Sequence, residues 1–584
     1  MYEILKTINS PADVKKLNAE QLKTLAADIR EALFNRLTKI GGHCGPNFGI
    51  VEAEIAMHYV FCSPKDKFVF DVSHQSYPHK MMTGRKEGYI DDAHFSEDSG
   101  YTNPEESEHD LFNVGHTSTS ISLATGLVKG RDLKGGKENV LALIGDGSLS
   151  GGEALEALDF VGSDIHSNMI IVVNDNQQSI AEVHGGLYKN LTELRETKGK
   201  SQNNFFKTLG LDYIYEENGN DIQAMIKVFQ KVKDIDHPIV VHINTQKGKG
   251  FKLAEENREA WHWCMPFDRQ TGQWKVSFGE SYTSLTADYI MDKAKKDKDF
   301  VVITPAMPMT AGLGQDLRQQ LGSQYVDVGI AEEHAVAMAS GVAKAGGKPL
   351  LVTNATFIQR TYDQVSQDVC INNNPVTILL NYASFDGLTD VTHLGIFAIS
   401  AFSNIPNLVM LAPTSREEYL NMLDWAVEQK EHPVMILMPG NAITERAADK
   451  NYSKINTFKV EQKGEKVAIL ALGDFYQRGE ALAKEIKTKL GFTPTLINPR
   501  FASGLDENLL KDLEKDHQLV VTLEDGILDG GFGQKVATFY ATSDMKVKNY
   551  GLKKEFYDRY NPQDLLRQLG MLPEQIIEDI KKLI

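Results

Sequence analysis

Three polar clusters in this chain have the residue types and spacing for chemistry. The first, Gly145-Asp146-Gly147, closes the apolar run Val140-Leu141-Ala142-Leu143-Ile144. The second, Asn174-Asp175-Asn176, closes Met169-Ile170-Ile171-Val172-Val173, and 26 residues lie between Gly147 and Asn174. Asp146, Asn176 and the backbone carbonyl of Gln178 offer hard oxygen donors. Mg²⁺ favours such donors and takes few from the protein, leaving positions to phosphate and water. The glycines let the backbone turn tightly beside a phosphate. An Asp-Gly turn at a strand end is ordinary by itself, but the fixed spacing and the paired Asn residues make a ligand set the stronger reading. The third cluster is Gly329-Ile330-Ala331-Glu332-Glu333-His334-Ala335. Its acids either complement a helix dipole or include one carboxylate with a catalytic task.

The elements that must position these residues follow an alternating pattern. Gly151 to Ser163 reads as the crossover helix between the first two apolar runs, giving a βαβ unit with its ligands at the strand ends. A first α/β block runs over 1–280. It has a helix at Ala19 to Leu37, strands at Lys67 to Val72 and Ile239 to Asn244, and a lysine-rich polar stretch, Lys189 to Asn204, expected to be an exposed or mobile loop. A second block, 281–448, has strands at Phe300 to Thr304, Pro349 to Thr353, Val376 to Asn381 and Leu408 to Ala412, with an amphipathic helix at Ser415 to Gln429. Ala447 to Lys463 is polar. The third block, 464–584, has strands at Val467 to Leu472, Thr495 to Asn498 and Leu519 to Leu523 and a helix at Arg478 to Leu490. The fold class expected is α/β: three α/β domains with mainly parallel sheets.

Composition narrows the function classes. With 584 residues, 42% of them hydrophobic, the chain can bury several cores. Its formal net charge of −17 argues against nucleic acid as a partner. No run of 18 apolar residues suggests a membrane span. Met1 to Lys16 lacks an apolar signal core, so a cytoplasmic location is the expectation. Cys44, Cys62, Cys264 and Cys370 are scattered without metal-ligand spacing. Cys44 beside His43 is read as a small buried residue rather than a nucleophile.

The 26-residue spacing resembles the thiamine diphosphate (ThDP) motif, in which GDG is followed by N-x-N. Further segments extend the resemblance along nearly the whole chain. They are Asp71-Val-Ser-His-Gln-Ser-Tyr-Pro-His-Lys80, Gly115-His-Thr-Ser-Thr-Ser-Ile-Ser122, Gly248-Lys-Gly-Phe251 with Trp261-His262, Ile330-Ala-Glu-Glu-His-Ala335, Thr356-Phe-Ile-Gln-Arg-Thr-Tyr-Asp-Gln364 and Gly530-Gly-Phe-Gly533. Together they resemble the 1-deoxy-D-xylulose-5-phosphate (DXP) synthase family of transketolase-like ThDP enzymes. The resemblance implies a ThDP-binding fold, with a diphosphate and Mg²⁺ domain at 1–280, a pyrimidine domain at 281–448 and a transketolase C-terminal-like domain at 464–584.

It also implies roles. Asp146, Asn176 and the Gln178 carbonyl match metal ligands. His74, Gly115, His116, Thr117, Gly147, Ser148, Asn176, Phe251, Glu332, Phe357 and Arg360 match cofactor contacts. Glu332 is the carboxylate expected at the pyrimidine N1′, and Phe357 is either a ring stacked on the pyrimidine or a core Phe. His43, His262 and His393 match histidines near the reacting carbon, where an imidazole can move a proton at neutral pH. The implied partners are pyruvate or another 2-oxo acid, an aldehyde acceptor and a second copy of the chain in a homodimer. Isoprenoid precursor synthesis is the implied setting.

The departures fall on the acceptor side. The family places arginines in the second domain to hold the acceptor's phosphate, a task suited to bidentate guanidinium. Here those positions hold Tyr382 and Pro439. A family Tyr is Asn354, a family Asp aligns with Thr389, and Gly41-Gly-His-Cys-Gly45 replaces a Ser-Pro-Gly-Ser-His type segment. The chain is also shorter than the family norm, chiefly around 184–210. Three readings follow: a DXP-synthase-like carboligase, a transketolase-type ketol transferase, and a non-catalytic ThDP-fold subunit. Retention of Asp146, Asn176 and Glu332 weighs against the last, and the long family-specific segments favour the first.

Overall fold

The computed structural model describes residues 2–277 and 279–584. The chain forms two compact units, Met1–Phe278 with Gly329–Ala331, and Gly279–Val328 with Glu332–Ile584.

The first unit is built on a five-stranded parallel sheet: β1 (Lys67–Phe70), β2 (Val140–Gly145), β3 (Met169–Asp175), β4 (Asp212–Glu216) and β5 (Pro238–Asn244), in the order β1-β2-β3-β5-β4. The helices used below are α1 (Ala19–Ile40), α2 (Gly45–Val60), α3 (Ser120–Leu133), α4 (Gly152–Asp164), α5 (Gly186–Glu196) and α6 (Ile222–Val232). Strand side chains alternate between faces. Leu141 and Leu143 join a core with residues of α1, α2 and α6, whereas Val140, Ala142 and Ile144 join one with α3, α4 and α5. Burial on both faces is why β2 and β3 read as unbroken apolar runs. The expected strand Lys67 to Val72 stops at Phe70 because Val72 and Ser73 take φ of 57° and 60°, which no strand tolerates.

One expectation fails here. Lys189 to Asn204 is not an exposed loop throughout: α5 occupies much of it, with Tyr188, Leu191 and Leu194 buried. These residues recur every three positions and face the sheet. Lys189, Asn190, Thr192 and Glu193 between them make up its polar side, and their polarity hides the period.

The second unit carries two sheets. The first is a six-stranded parallel sheet of β6 (Phe300–Thr304), β7 (Tyr325–Asp327), β8 (Lys348–Asn354), β9 (Thr377–Asn381), β10 (Val409–Leu411) and β11 (Val434–Leu437), in the order β10-β11-β9-β8-β6-β7. The other comprises β12 (Lys459–Gln462), β13 (Lys466–Ala471), β14 (Thr495–Asn498), β15 (His517–Ile527) and β16 (Lys546–Leu552), in the order β12-β14-β13-β15-β16. Within it β12 alone runs antiparallel, against β14. β12 lies inside the polar stretch Ala447 to Lys463, because a half-buried edge strand needs no apolar run. Helices α7 (Glu332–Lys344), α8 (Arg416–Glu428) and α9 (Tyr476–Leu490) belong to this unit. Ser415 caps α8 by accepting the Glu418 amide, so the helix starts at Arg416.

Candidate active site

In the first unit the oxygen donors stand together because of register. Gly145 pairs with Asn174 across β2 and β3, which sets Asp146 and Asn176 side by side beyond the carboxyl ends of the strands. Asp146 is buried, and burial followed by the Asp175 carboxylate raises its pKa well above the ordinary range. The Gln178 amide donates to its Oδ2 at 3.2 Å. Asn176 Oδ1 is buried with no hydrogen-bond partner among the described residues. An unsatisfied buried acceptor beside a buried carboxylate is costly unless something electropositive is shared between them. Among the described residues no three His, Cys, Asp or Glu side chains group as a metal cage. A buried carboxylate beside an unpartnered amide oxygen fits a hard cation that completes its shell with phosphate, as Mg²⁺ does. Only glycine fits at 147, because a Cβ there would stand 2.9 Å from the Cβ of Ser179.

The loop Gly115 to Thr117 is tied to the same end of the sheet. Asp71, just past β1, accepts the amides of Ser118 at 2.9 Å and Ser120 at 3.1 Å. The Ser118 hydroxyl donates to the Ser148 carbonyl at 2.8 Å. Gly115, His116, Thr117, Gly147 and Ser148 thus sit on neighbouring, mutually bonded turns.

Three histidines distant in sequence meet in this unit. The ring centroids of His43, His74 and His262 are 5.2 Å, 5.7 Å and 5.3 Å apart for the pairs 43–74, 43–262 and 74–262. Asn47 donates to the carbonyls of His43 and His74 at 2.9 and 2.7 Å. A two-residue antiparallel ladder pairs His43 with Trp263 and Gly42 with Cys264. Burial, then Lys247, pushes His74 down to about 3 and His262 well below the imidazole range. Both rings are neutral at pH 7, each able to donate one N–H and accept at the other nitrogen. His74 Nδ1 is buried without a partner among the described residues.

Lys247 is the residue that sequence reasoning missed. Its Nζ donates to the Ser179 carbonyl at 2.6 Å and lies 3.0 Å from His262 Nδ1. Burial pushes it down to about 7, with Asp146 opposing. The available signal was a lysine between Gln246 and Gly248, directly before the Gly248-Lys-Gly-Phe251 segment. Phe251 is not brought to the histidines by its ring, which packs against Phe34 at 5.1 Å and Trp261 at 4.7 Å in an aromatic core. Cys44 is fully buried and its thiol is raised by burial, as a packing residue should be.

In the second unit Glu332 opens α7 and is 5% exposed, whereas a carboxylate serving only the helix dipole would face solvent. Burial raises its pKa, with Arg360 opposing it at 3.6 Å. Glu332 Oε2 has no hydrogen-bond partner among the described residues. Phe357 follows β8 and meets His393 edge to face at 5.6 Å. Thr392 Oγ1 lies 2.8 Å from His393 Nδ1. Asn354 and Asn381 are paired in register at the ends of β8 and β9, and Asn354 Oδ1 is a further unpartnered acceptor among the described residues.

Beside the Pro439-Gly440 turn and the loop Ser384 to Asp386 the second unit carries three aspartates and one arginine. Asp474 accepts the Gly440 amide at 2.8 Å, Asp525 accepts the Phe385 amide at 2.9 Å, and Asp386 pairs with Arg478 at 3.3 Å. Arg500, a candidate replacement cation, is committed to Asp449 and the Thr457 carbonyl at 2.7 and 2.6 Å. Burial pushes Asp474 up to about 6 and, with Asp474 beside it, Asp525 up to about 8. A carboxyl whose folded pKa is raised stabilises fully below its unfolded pKa, and this is lost as pH rises through the folded value. Asp525 should therefore cost stability between about pH 4 and about 8, at roughly 1.4 kcal/mol per pH unit. Asp525→Asn is expected to melt above the wild type at pH 9 and to show a smaller fall in Tm from pH 6 to 9. Equal falls in the two proteins would contradict this origin of the pH dependence.

No helix among the described residues is long and apolar enough to cross a membrane. The comparisons with known proteins bear on the chain as a whole. A family model for "1-deoxy-D-xylulose-5-phosphate synthase" matches residues 5–202 and 196–245. Models for the "Transketolase, pyrimidine binding domain" and the "Transketolase, C-terminal domain" match 281–444 and 456–576. The 1-deoxy-D-xylulose-5-phosphate synthase of Clostridium beijerinckii is 37% identical, over 99% of each chain. That of Clostridium botulinum is 37% identical over 100% of each, and that of Alkaliphilus oremlandii 36% identical over 100% of this chain and 99% of its own. The chain belongs to the 1-deoxy-D-xylulose-5-phosphate synthase family of transketolase-like, thiamine diphosphate-dependent transferases.

Proposed function

We propose that this protein is a ThDP- and Mg²⁺-dependent carboligase that releases CO₂ from pyruvate or another 2-oxo acid and joins the two-carbon remainder to an aldehyde without a terminal phosphate, giving a 1-deoxyketose. It works as a cytoplasmic homodimer, as the family resemblance implies. When bound, ThDP supplies the electron sink for decarboxylation and carbon–carbon bond formation. Asp146, Asn176 and the Gln178 carbonyl would hold the cation, with Gly147 and the Gly115 to Thr117 loop beside the diphosphate. Glu332 would carry the proton exchanged with the pyrimidine N1′, with Phe357 against the ring and Arg360 holding the carboxyl in place. His43, His74 and His262 form an imidazole wall with Lys247 behind it, in which the neutral His74 and His262 are suited to hydrogen bonding a carbonyl or hydroxyl. His393 would stand on the pyrimidine side as a further proton carrier.

The observation that carries the acceptor assignment is the pair Tyr382 and Pro439 at the phosphate-binding positions, with Asp474 bonded to the amide of Gly440. Asp474 at this place disfavours an anionic acceptor, and Arg360, Arg478 and Arg500 are each paired with a carboxylate. Charge-assisted hydrogen bonds contribute roughly 1.5–3 kcal/mol each. Losing two weakens use of a phosphorylated acceptor by roughly two to four orders of magnitude if their effects add. Steady-state kinetics with pyruvate and either glyceraldehyde or its 3-phosphate tests the assignment. The expected result is a higher kcat/KM for the free aldehyde. A strong preference for the phosphorylated aldehyde would restore D-glyceraldehyde 3-phosphate as acceptor and 1-deoxy-D-xylulose 5-phosphate as product.

A further inference from the structure

We propose that helix α5 is the positioning element for both halves of the diphosphate and metal site, acting through Tyr188 and Arg195. The inference rests on the cofactor reading above. The helix lies where the chain is shortened, and the family match breaks into 5–202 and 196–245 at its carboxyl end. Tyr188 and Arg195 are seven residues apart, two helical turns, and so share a face. Leu191 and Leu194 on that side are buried against the sheet and fix the helix in place.

Each end of this face holds one motif. The Tyr188 hydroxyl donates to the Gly147 carbonyl at 3.1 Å, on the turn that carries Asp146. Arg195 Nη1 donates to Asp175 Oδ2 at 2.5 Å, between the two asparagines of the second motif. The guanidinium is itself oriented, because Nη2 donates to Thr192 Oγ1 at 2.7 Å. From the far side His242 Nε2 reaches the same Asp175 oxygen at 2.8 Å, with the Tyr213 hydroxyl 2.8 Å from its Nδ1. Asp175 Oδ1 accepts the Gln177 amide at 3.2 Å. The Asp175 side chain is thereby pinned from β5 and α5, and the backbone that presents Asn176 and Gln178 is pinned with it. Gly145 and Asn174 are neighbours in the sheet, so one short helix fixes the separation of the two donor-bearing turns. Arg195 also places a positive charge beside two buried carboxylates, Asp146 and Asp175. Groups that orient metal ligands without touching the metal typically change affinity about 10- to 100-fold when removed.

The test is calorimetric titration of ThDP in saturating Mg²⁺ into the purified full-length chain, with variants Tyr188→Phe, Arg195→Lys and Arg195→Met. Tyr188→Phe is expected to bind ThDP about threefold more weakly and Arg195→Lys about tenfold. Arg195→Met is expected to lose more, and its Tm should also fall because Asp175 is left without its cation. At saturating ThDP and Mg²⁺ the kcat of Tyr188→Phe and Arg195→Lys should stay within about twofold of wild type, the whole effect appearing in the KM for ThDP. Wild-type ThDP affinity in folded Arg195→Lys and Tyr188→Phe would overturn the proposal, whatever happens to Arg195→Met. Failure of the wild-type chain to bind ThDP would instead overturn the cofactor reading, and this inference with it.

Discussion

Asp146→Ala is expected to abolish Mg²⁺-dependent binding of ThDP, with an affinity loss of at least about two orders of magnitude. The donor set proposed for the cation is sparse: one carboxylate, one amide oxygen and one backbone carbonyl. Removing the carboxylate takes away its only charged member, and neither Asn176 nor Gln178 can neutralise a divalent ion. The variant should fold, because a small side chain replaces a buried carboxylate whose charge burial already disfavours. Calorimetry on the folded variant reads the result directly. Unchanged ThDP affinity would remove Asp146 from the site.

Glu332→Gln is expected to separate binding from turnover. The amide keeps the volume and the oxygen that faces Arg360, so ThDP affinity should stay within several-fold of wild type. An amide cannot exchange a proton with N1′, and turnover should fall by roughly two to four orders of magnitude. The raised pKa of Glu332 suits this task, because burial brings its protonated form closer to neutrality. The decisive observable is hydrogen–deuterium exchange at C2 of the bound cofactor, which depends on activation alone. Exchange at the wild-type rate would mean that Glu333, the half-buried neighbour on the same helix, or no carboxylate here, does the task.

How far the site was legible depended on how local each feature is. The Asp146 and Asn176 pair was legible because a βαβ unit fixes it: two buried strands, one crossover helix and a polar residue at each strand end. Glu332 was legible as an acid at a helix start, but its burial was not, since that depends on what covers the first turn of α7. The histidines were named one by one through the family resemblance. Nothing in their spacing says that His43, His74 and His262 stand within 6 Å of one another, ring to ring. Lys247 went unnoticed for the same reason, because a lysine is unusual only once it is known to be buried.

By itself the sequence determined the parallel α/β architecture and the polar residues Asp146, Asn174 and Asn176 at the ends of β2 and β3. Those depend on period, spacing and residue identity, which are properties of a linear chain. Only the tertiary structure decided which polar groups are buried without partners, and these are the groups a cofactor would satisfy. It also brought Asp474 to the Gly440 amide, Asp525 to the Phe385 amide and Asp386 to Arg478. Finally, it placed the first part of the polar stretch Lys189 to Asn204, through Glu196, in a helix. The composition of α5 is that of a loop, and it holds its shape because Tyr188, Leu191 and Leu194 find a sheet to cover. Burial and long-range contact set these features, and a chain has neither until it folds.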